Sequence, residues 1–135
     1  MILVDTNILL DLAGRDPVWA GWSRDELKAA AGTDELAIND VVYAELAAGY
    51  PQSEDVDDFI DRGRILVRRA PRQALFLAGK AFQRYRAFGG TRTGVLPDFF
   101  IGAHALATGS RLITRDPRRY RTYFPGIELI TPSVN

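Results

Sequence analysis

The sequence predicts an α/β fold, in which a mainly parallel sheet of about five strands is covered by helices on both faces. Short apolar runs alternate with longer helical patterns along the 135-residue chain, and this alternation is typical of parallel sheets. The helical pattern after Pro97 is apolar on nearly every side, which is typical of a helix at the centre of a molecule. These features together predict a buried sheet and one central helix.

The strands are predicted from the short apolar runs. They cover residues 1–5, 36–38, 65–67, 111–114 and 127–130. A flexible loop is expected at residues 89–94, because this short segment contains three glycines. The sequence has no internal repeat, low-complexity tract or interdomain linker. Residues 1–135 are therefore predicted to form a single domain.

The helices are predicted from capping residues and helical periodicity. Asp16 is expected to cap the second helix, with Pro17 as its first residue. Asn39 or Asp40 is expected to cap the third helix, and Ser53 the fourth. The six predicted helices cover residues 7–13, 17–31, 40–48, 53–62, 71–88 and 98–108.

The composition restricts the chemistry that the protein can use. Apolar residues make up 47% of the chain and charged residues 25%, which is ordinary for a globular protein. The chain has no cysteine and a single histidine, so disulfides, thiolate metal sites and histidine-rich zinc sites are excluded. Any metal must be held by oxygen, which favours Mg²⁺ or Mn²⁺. With no basic leader and no long apolar segment, we expect a cytoplasmic protein without a membrane partner.

The net charge of zero hides a strong asymmetry. Residues 1–61 contain 14 acids and 3 bases, whereas residues 62–135 contain 14 bases and 3 acids. Fifteen of the 17 bases are arginine, whose planar guanidinium suits phosphate. The basic half is either a solvated surface attracted to the acidic half or a surface that binds phosphate, and the two interpretations are compatible.

Four acids have positions that favour a shared metal site. Asp5 and Asp116 follow predicted strands, and Asp98 opens the central helix. In open α/β sheets, ligands bind at the edge where the strands end. The neighbours of Glu45 at three and four residues' distance are all apolar, so we expect it on a buried face, where a bare carboxylate needs a cation, a partner or a proton. Acids gathered at one edge repel each other unless cations hold them together.

Each acid also has a simpler interpretation when it is taken alone. Asp5 and Asp98 fit helix caps or first-turn acids, Asp116 fits an Asp-Pro turn, and Glu45 fits an edge residue paired with a distant arginine. Three acids at one sheet edge and a fourth on a helix are improbable as separate caps, so a shared site is favoured. His104, by contrast, is expected to be a hydrogen-bonded core residue.

These residues, in this order, resemble the PIN-domain ribonucleases. The resemblance is carried by segment 4–10, Glu45, segment 98–105 and segment 112–116, and the tail at 120–130 is similar to the VapC toxins of bacterial toxin–antitoxin pairs. It implies a three-layer α/β/α sandwich around a parallel sheet. It also implies an Mg²⁺- or Mn²⁺-dependent endoribonuclease that is usually dimeric and is neutralised by a small antitoxin.

The resemblance also implies roles for individual residues. The catalytic and metal-binding quartet would be Asp5, Glu45, Asp98 and Asp116. Thr114 matches a hydroxyl position that supports the site, and Asn7 matches a position that orients Asp5. Arginines of the basic half are expected to hold the RNA backbone. The candidates are Arg68, Arg69, Arg84, Arg86 and Arg115.

Two other functions remain as alternatives. A metal-dependent phosphatase or phosphotransferase would use Asp5 as its nucleophile, but such sites usually have a second aspartate two residues later, where this chain has Asn7. A non-catalytic nucleic-acid-binding module on the same scaffold would be favoured by the loss of one acid, and none of the four is lost.

Overall fold

The computed structural model describes residues 1–92 and 94–132. Thr93, which belongs to the predicted flexible loop, and residues 133–135 of the predicted domain lie outside the described residues. The strands are β1 (Ile2–Val4), β2 (Leu36–Ile38), β3 (Ile65–Val67), β4 (Arg111–Ile113) and β5 (Leu129–Ile130). The helices are α1 (Thr6–Ala13), α2 (Ala20–Ala31), α3 (Asp40–Ala47), α4 (Ser53–Arg62), α5 (Arg72–Ala87), α6 (Leu96–Thr108) and α7 (Arg118–Tyr123).

The five strands form one sheet in the order β3-β2-β1-β4-β5, and all neighbouring strands are parallel. The chain runs outward from β1 to β3 and then returns to place β4 on the other side of β1. Connections between parallel strands are right-handed. Helices that connect strands toward β3 therefore lie on one face of the sheet, and helices that connect strands toward β5 lie on the other face. The predicted three-layer α/β/α sandwich is confirmed.

The core follows the predicted pattern. All residues of β1 and β2 are buried, and α6 buries residues on several of its sides, as expected of a central helix. A close approach requires glycine at position 102, because a Cβ there would lie 2.5 Å from the ring of Phe124. The edge strand β3 is buried at Ile65 only and exposes Leu66 and Val67.

The helix starts and caps differ from prediction in several places, and α6 begins at Leu96, two residues before the predicted start. The second helix begins at Ala20 rather than at residue 17, because the carboxylate of Asp16 accepts hydrogen bonds at 2.8 Å from the backbone of Val18 and Trp19 and so caps a separate turn. Ser53 is the first residue of α4, not its cap. Asn39 does cap α3, since its side chain accepts from the N–H groups of the second and third helical residues.

The C-terminal part contains the largest departure from prediction. The last strand is limited to Leu129–Ile130, and the six-residue helix α7 was not predicted at all. Its sequence, Arg-Arg-Tyr-Arg-Thr-Tyr, has no apolar periodicity that would identify a helix. Within the described residues, no helix is both long and apolar enough to span a membrane.

Candidate active site

An open cleft of about 550 Å³ lies at the end of the sheet where β1 and β4 finish. This is the point at which the strand order reverses, and such switch points hold the ligands of open α/β sheets. The cleft is lined by all four acids of the predicted quartet. They are Asp5, Glu45, Asp98 and Asp116.

Asp5 is buried directly after β1, and it does not cap the helix that follows. Its side chain makes no capping hydrogen bond. Its Oδ2 instead accepts from the hydroxyls of Thr114 and Tyr120, both at 2.8 Å. The amide of Asn7 lies 3.5 Å from the same oxygen and 3.4 Å from the hydroxyl of Thr114. Asp5 therefore occupies the N-cap position of α1, as its capping interpretation expects, but its side chain contacts the cleft and does not cap the helix.

Burial controls the protonation of Asp5. Loss of solvation raises the pKa of Asp5 from 3.8 to about 6, although the hydrogen bonds from Thr114 and Tyr120 oppose this and the charge of Asp98 adds to it. Burial, together with the nearby acids, raises the pKa of Tyr120 well above 10. Tyr120 therefore keeps its proton and remains a donor to Asp5.

Asp98 lies in the first turn of α6, and Arg119 of α7 pairs with it. The Nη1 of Arg119 donates to the Oδ2 of Asp98. Partial burial raises the pKa of Asp98, the hydrogen bond and charge of Arg119 lower it, and the charge of Asp116 raises it. The charge of Asp98 in turn raises the pKa of Asp5 and Glu45. Asp98 is therefore the acid that interacts with all three others.

Glu45 reaches the cleft but does not lie on a buried face, so that prediction is wrong. The buried side of α3 is formed by Val42 and Leu46, while Glu45 and its neighbour Ala48 are exposed. Small residues such as alanine are tolerated on either side of a helix, so apolar neighbours alone did not locate the buried face. The hydroxyl of Thr6 donates to Glu45 at 2.8 Å, and partial desolvation in the cleft raises the pKa of Glu45.

Asp116 is exposed at the cleft and is connected to Asp5 through one side chain. The backbone N–H of Asp116 donates to the hydroxyl of Thr114 at 3.1 Å, and the same hydroxyl donates to Asp5. Thr114 is completely buried. A single buried hydroxyl therefore holds the segments after β1 and β4 together.

The carboxylates of the cleft are suitable ligands for a divalent cation, although among the described residues no three of them are arranged around a common point. Every acid that lines the cleft offers carboxylate oxygens, which are the ligands that Mg²⁺ and Mn²⁺ prefer. Among residues 1–92 and 94–132, however, no three acidic or histidine side chains are close enough together to hold a metal. Arg119 engages one oxygen of Asp98, and two hydroxyls engage one oxygen of Asp5.

The arginines that line the cleft belong to the basic half, as expected, but none of them is among the five named candidates. They are Arg92, Arg118 and Arg119. Arg68 lies 3.8 Å from Glu35, Arg69 borders a separate small cavity, and Arg84 and Arg86 are on the exposed side of α5. Sequence analysis did not identify Arg119 and Tyr120 as partners of Asp98 and Asp5, because nothing in the sequence of α7 indicates which acids it faces.

Arg115 has a structural partner. Its Nε and Nη2 donate to the two carboxylate oxygens of Asp11 at 2.8 and 3.0 Å, and its guanidinium lies 5.7 Å from the ring of Trp19. Asp11 is 3% exposed and also accepts from Ser23. This network joins α1 and α2 to the loop after β4, which is a structural role that the sequence did not indicate for Arg115.

His104 is a core residue in this structure. It is 1% exposed, and its Nδ1 lies 3.3 Å from the side-chain amide of Asn39. Burial lowers the pKa of His104, so the ring is neutral in the physiological range. It is not one of the residues that line the cleft.

A family model of the PIN domain matches residues 2–125, and the chain therefore belongs to the PIN domain family. No curated protein sequence matches it. The resemblance to PIN-domain proteins that the sequence motifs predicted is confirmed.

Solved structures with similar folds include chains from three bacteria. VapBC2 from Rickettsia felis was solved bound to a DNA fragment from the VapBC2 promoter. One of its chains has a TM-score of 0.75 and 22% identity, covering 98% of this chain and 100% of that chain. A chain of a toxin–antitoxin complex from Klebsiella pneumoniae has a TM-score of 0.68 and 24% identity, covering 98% of this chain and 98% of that chain. A chain of VapBC-1 from nontypeable Haemophilus influenzae has a TM-score of 0.70 and 23% identity, covering 97% of this chain and 98% of that chain. At these identities, the likeness establishes the fold.

Proposed function

We propose that the chain is an Mg²⁺- or Mn²⁺-dependent endoribonuclease, acting in the cytoplasm as the VapC-type toxin of a toxin–antitoxin pair. The observation that carries this proposal is the convergence of four acids in one cleft. They come from four separate parts of the chain and meet where the strand order reverses. Membership of the PIN domain family supports nuclease activity.

The acids that would hold the ion are Asp5, Asp98 and Asp116, with Glu45 at the rim. When bound, a divalent ion activates water and neutralises charge on a phosphodiester. Thr114 supports this arrangement because its hydroxyl contacts both Asp5 and the backbone of Asp116.

Glu45 is best suited to orient the attacking water and accept its proton. Its side chain is exposed in the cleft and is anchored by the hydroxyl of Thr6. Its raised pKa makes it a stronger base than an ordinary glutamate. An anchored, solvent-accessible carboxylate of this kind is what proton transfer at the edge of a metal site needs.

RNA would enter along the basic and aromatic wall of the same cleft. Arg92 and Arg118 line this wall and would hold phosphates, which gives affinity without sequence preference. Tyr85 and Tyr123 also line it, and aromatic rings stack on unpaired bases. An outer basic surface would extend the contact to more distant phosphates. Its proposed members are Arg68, Arg69, Arg84 and Arg86.

We propose two protein partners. The first is a small cognate antitoxin, which the similar fold of a chain in the Klebsiella pneumoniae toxin–antitoxin complex supports. The second is another copy of this chain. Leu75 and Phe76 on α5 are 45% and 64% exposed, and a homodimer would cover such apolar side chains.

The test is cleavage of single-stranded RNA with Mn²⁺ and with EDTA, comparing the wild type with Asp98→Asn. An amide cannot replace the negative ligand, so we expect loss of cleavage in EDTA and at least a hundredfold loss in Asp98→Asn, on the order of effects seen when a charge-stabilising group is removed. Near-wild-type cleavage by folded Asp98→Asn would refute the assignment. Sequencing the 5′ ends of the fragments identifies the target.

The same experiment distinguishes the alternative functions. A phosphatase using Asp5 would hydrolyse p-nitrophenyl phosphate, but two hydroxyls already bind one oxygen of Asp5, which weakens it as a nucleophile. A non-catalytic module would bind RNA and leave it intact with Mn²⁺ present. We expect neither outcome.

A further inference from the structure

We propose that Arg119 is the internal cation of the acidic cleft, so that a divalent ion can be held by the acids only after this guanidinium leaves Asp98. Both side chains line the cleft, and the Nη1 of Arg119 donates to the Oδ2 of Asp98. The inference rests on the proposed metal-dependent function, and it assigns a competing role to a residue outside the acidic quartet.

The position of the pair within the cleft is the first argument. Asp98 interacts electrostatically with each of the other three acids. All four acids line the same cleft, so a cation that is paired with Asp98 lowers the repulsion among them. Arg119 is the arginine that occupies this position.

The oxygens that remain for a metal are the second argument. The Oδ2 of Asp5 already accepts from Thr114 and Tyr120, which leaves its other carboxylate oxygen for a metal that Asp98 would also bind. One oxygen of Asp98 is held by Arg119. This agrees with the finding that, in the part of the chain that the structure describes, no three candidate ligands are arranged around a common point.

The third argument is that the Arg119–Asp98 ion pair can separate. A comparison with the Arg115–Asp11 pair supports this. Asp11 is 3% exposed and is held by both nitrogens of Arg115 and by Ser23. In the Arg119–Asp98 pair, the side chains are 26% and 33% exposed. A partly exposed pair contributes less to stability than a fully buried one, and the divalent ion that displaces Arg119 would itself neutralise the charge of Asp98.

The displaced guanidinium would remain in the cleft. Arg119 follows Arg118 on α7, and both line the wall at which substrate phosphates are proposed to bind. Arginine binds phosphate as readily as carboxylate. Arg119 would therefore exchange one anion for another when metal and RNA enter.

The inference is tested by titrating Mn²⁺ into metal-free protein with isothermal calorimetry. Arg119→Met should lower the Kd for Mn²⁺ roughly fivefold, which corresponds to the upper range for a solvent-accessible ion pair. Arg118→Met is the matched control, because it removes the same charge from the same cleft, and among the described residues Arg118 has no acidic partner within salt-bridge distance. Its effect should be clearly smaller.

A second comparison isolates the contact itself. Asp98→Asn should itself weaken Mn²⁺ binding, and adding Arg119→Met to it should give no recovery of affinity, since the acid for which the metal and Arg119 compete is gone. Circular dichroism checks folding, and Arg119→Gln replaces Arg119→Met if the latter is unfolded. Equal effects at positions 118 and 119, or an unchanged Kd in Arg119→Met, would overturn the inference while leaving metal dependence intact. Absence of Mn²⁺ binding in every variant and in the wild type would overturn both.

Discussion

At the scale of single residues, two opposing effects act on the charged form of Asp5, namely hydrogen bonding and burial. The hydroxyls of Thr114 and Tyr120 stabilise its charged form, whereas burial destabilises that form. Burial wins, because taking a carboxylate out of water costs more than two neutral hydrogen bonds return. Asp5 is therefore held in place by its partners and remains poorly neutralised until a cation arrives.

This imbalance predicts how stability depends on pH when metal is absent. The pKa of Asp5 is about 6 in the folded protein and 3.8 as its ordinary value. Because the folded pKa is the higher one, the contribution of Asp5 is complete below pH 4 and is lost as the pH rises to 6. The loss corresponds to roughly 3 kcal/mol.

The measurement is urea denaturation in EDTA at several pH values between 4 and 7, comparing the wild type with Asp5→Asn. Asparagine can accept the same hydrogen bonds but has no charge to bury. The difference in the free energy of unfolding between Asp5→Asn and the wild type should therefore increase from pH 4 to pH 6 and stay constant above pH 6. A difference that does not change with pH would mean that Asp5 is not strained by its burial.

At the scale of elements, α7 supplies the side chains that contact Asp98 and Asp5. It is also the helix that sequence analysis did not predict. Its six residues carry Arg119 to Asp98 and Tyr120 to Asp5. These partners are 21 and 115 positions away in the sequence. A short, arginine-rich segment has no periodicity from which its orientation could be predicted. Such contacts depend on tertiary packing, which one sequence does not reveal.

The acids were more predictable, for a reason that their positions make clear. Asp5 and Asp116 follow strands that their apolar residues identify, and parallel strands bring their ends together at one edge. Glu45 was expected in the cleft for the wrong reason. It lies at the accessible rim, held by Thr6, and not on the buried face of α3. Its helical neighbours could not distinguish the two positions because two of the four, Ala48 and Gly49, are small residues that are exposed here.

The connection between elements predicts a second measurable effect. Asp11 joins α1 to α2 through Ser23 and to the loop after β4 through Arg115. Breaking a buried pair costs 3 to 5 kcal/mol, and because Arg115 is 31% exposed we expect roughly 2 to 3 kcal/mol for Asp11→Ala.

The control for this variant is Asp58→Ala. Asp58 pairs with Arg62 on the surface of α4, where the two side chains are 61% and 80% exposed. We expect a cost below about 0.5 kcal/mol there. Urea denaturation at pH 7 measures both variants. Similar costs for the two would show that the Asp11 network does not hold these elements together.

At the scale of the whole molecule, the cleft lies where the acidic and basic halves of the chain meet. Asp5 and Glu45 come from the acidic half. Residues 62–135 contain three acids, and two of them, Asp98 and Asp116, line the cleft. Acids retained in an otherwise basic segment, and gathered in one place, are better explained by a shared cation than by surface charge balance.

The most direct measurement of this central claim is the melting temperature of metal-free protein with and without Mn²⁺. A ligand at a hundredfold excess over its Kd stabilises a protein by about 2.7 kcal/mol, which is several degrees for a domain of this size. We expect this rise in the wild type and in the control Glu128→Gln, the third acid of the basic half. The rise should be lost or strongly reduced in Asp5→Asn, Asp98→Asn and Asp116→Asn, and reduced to a smaller extent in Glu45→Gln, whose side chain lies at the rim. A wild type that does not respond to Mn²⁺, or four variants that respond as the wild type does, would contradict a shared metal site.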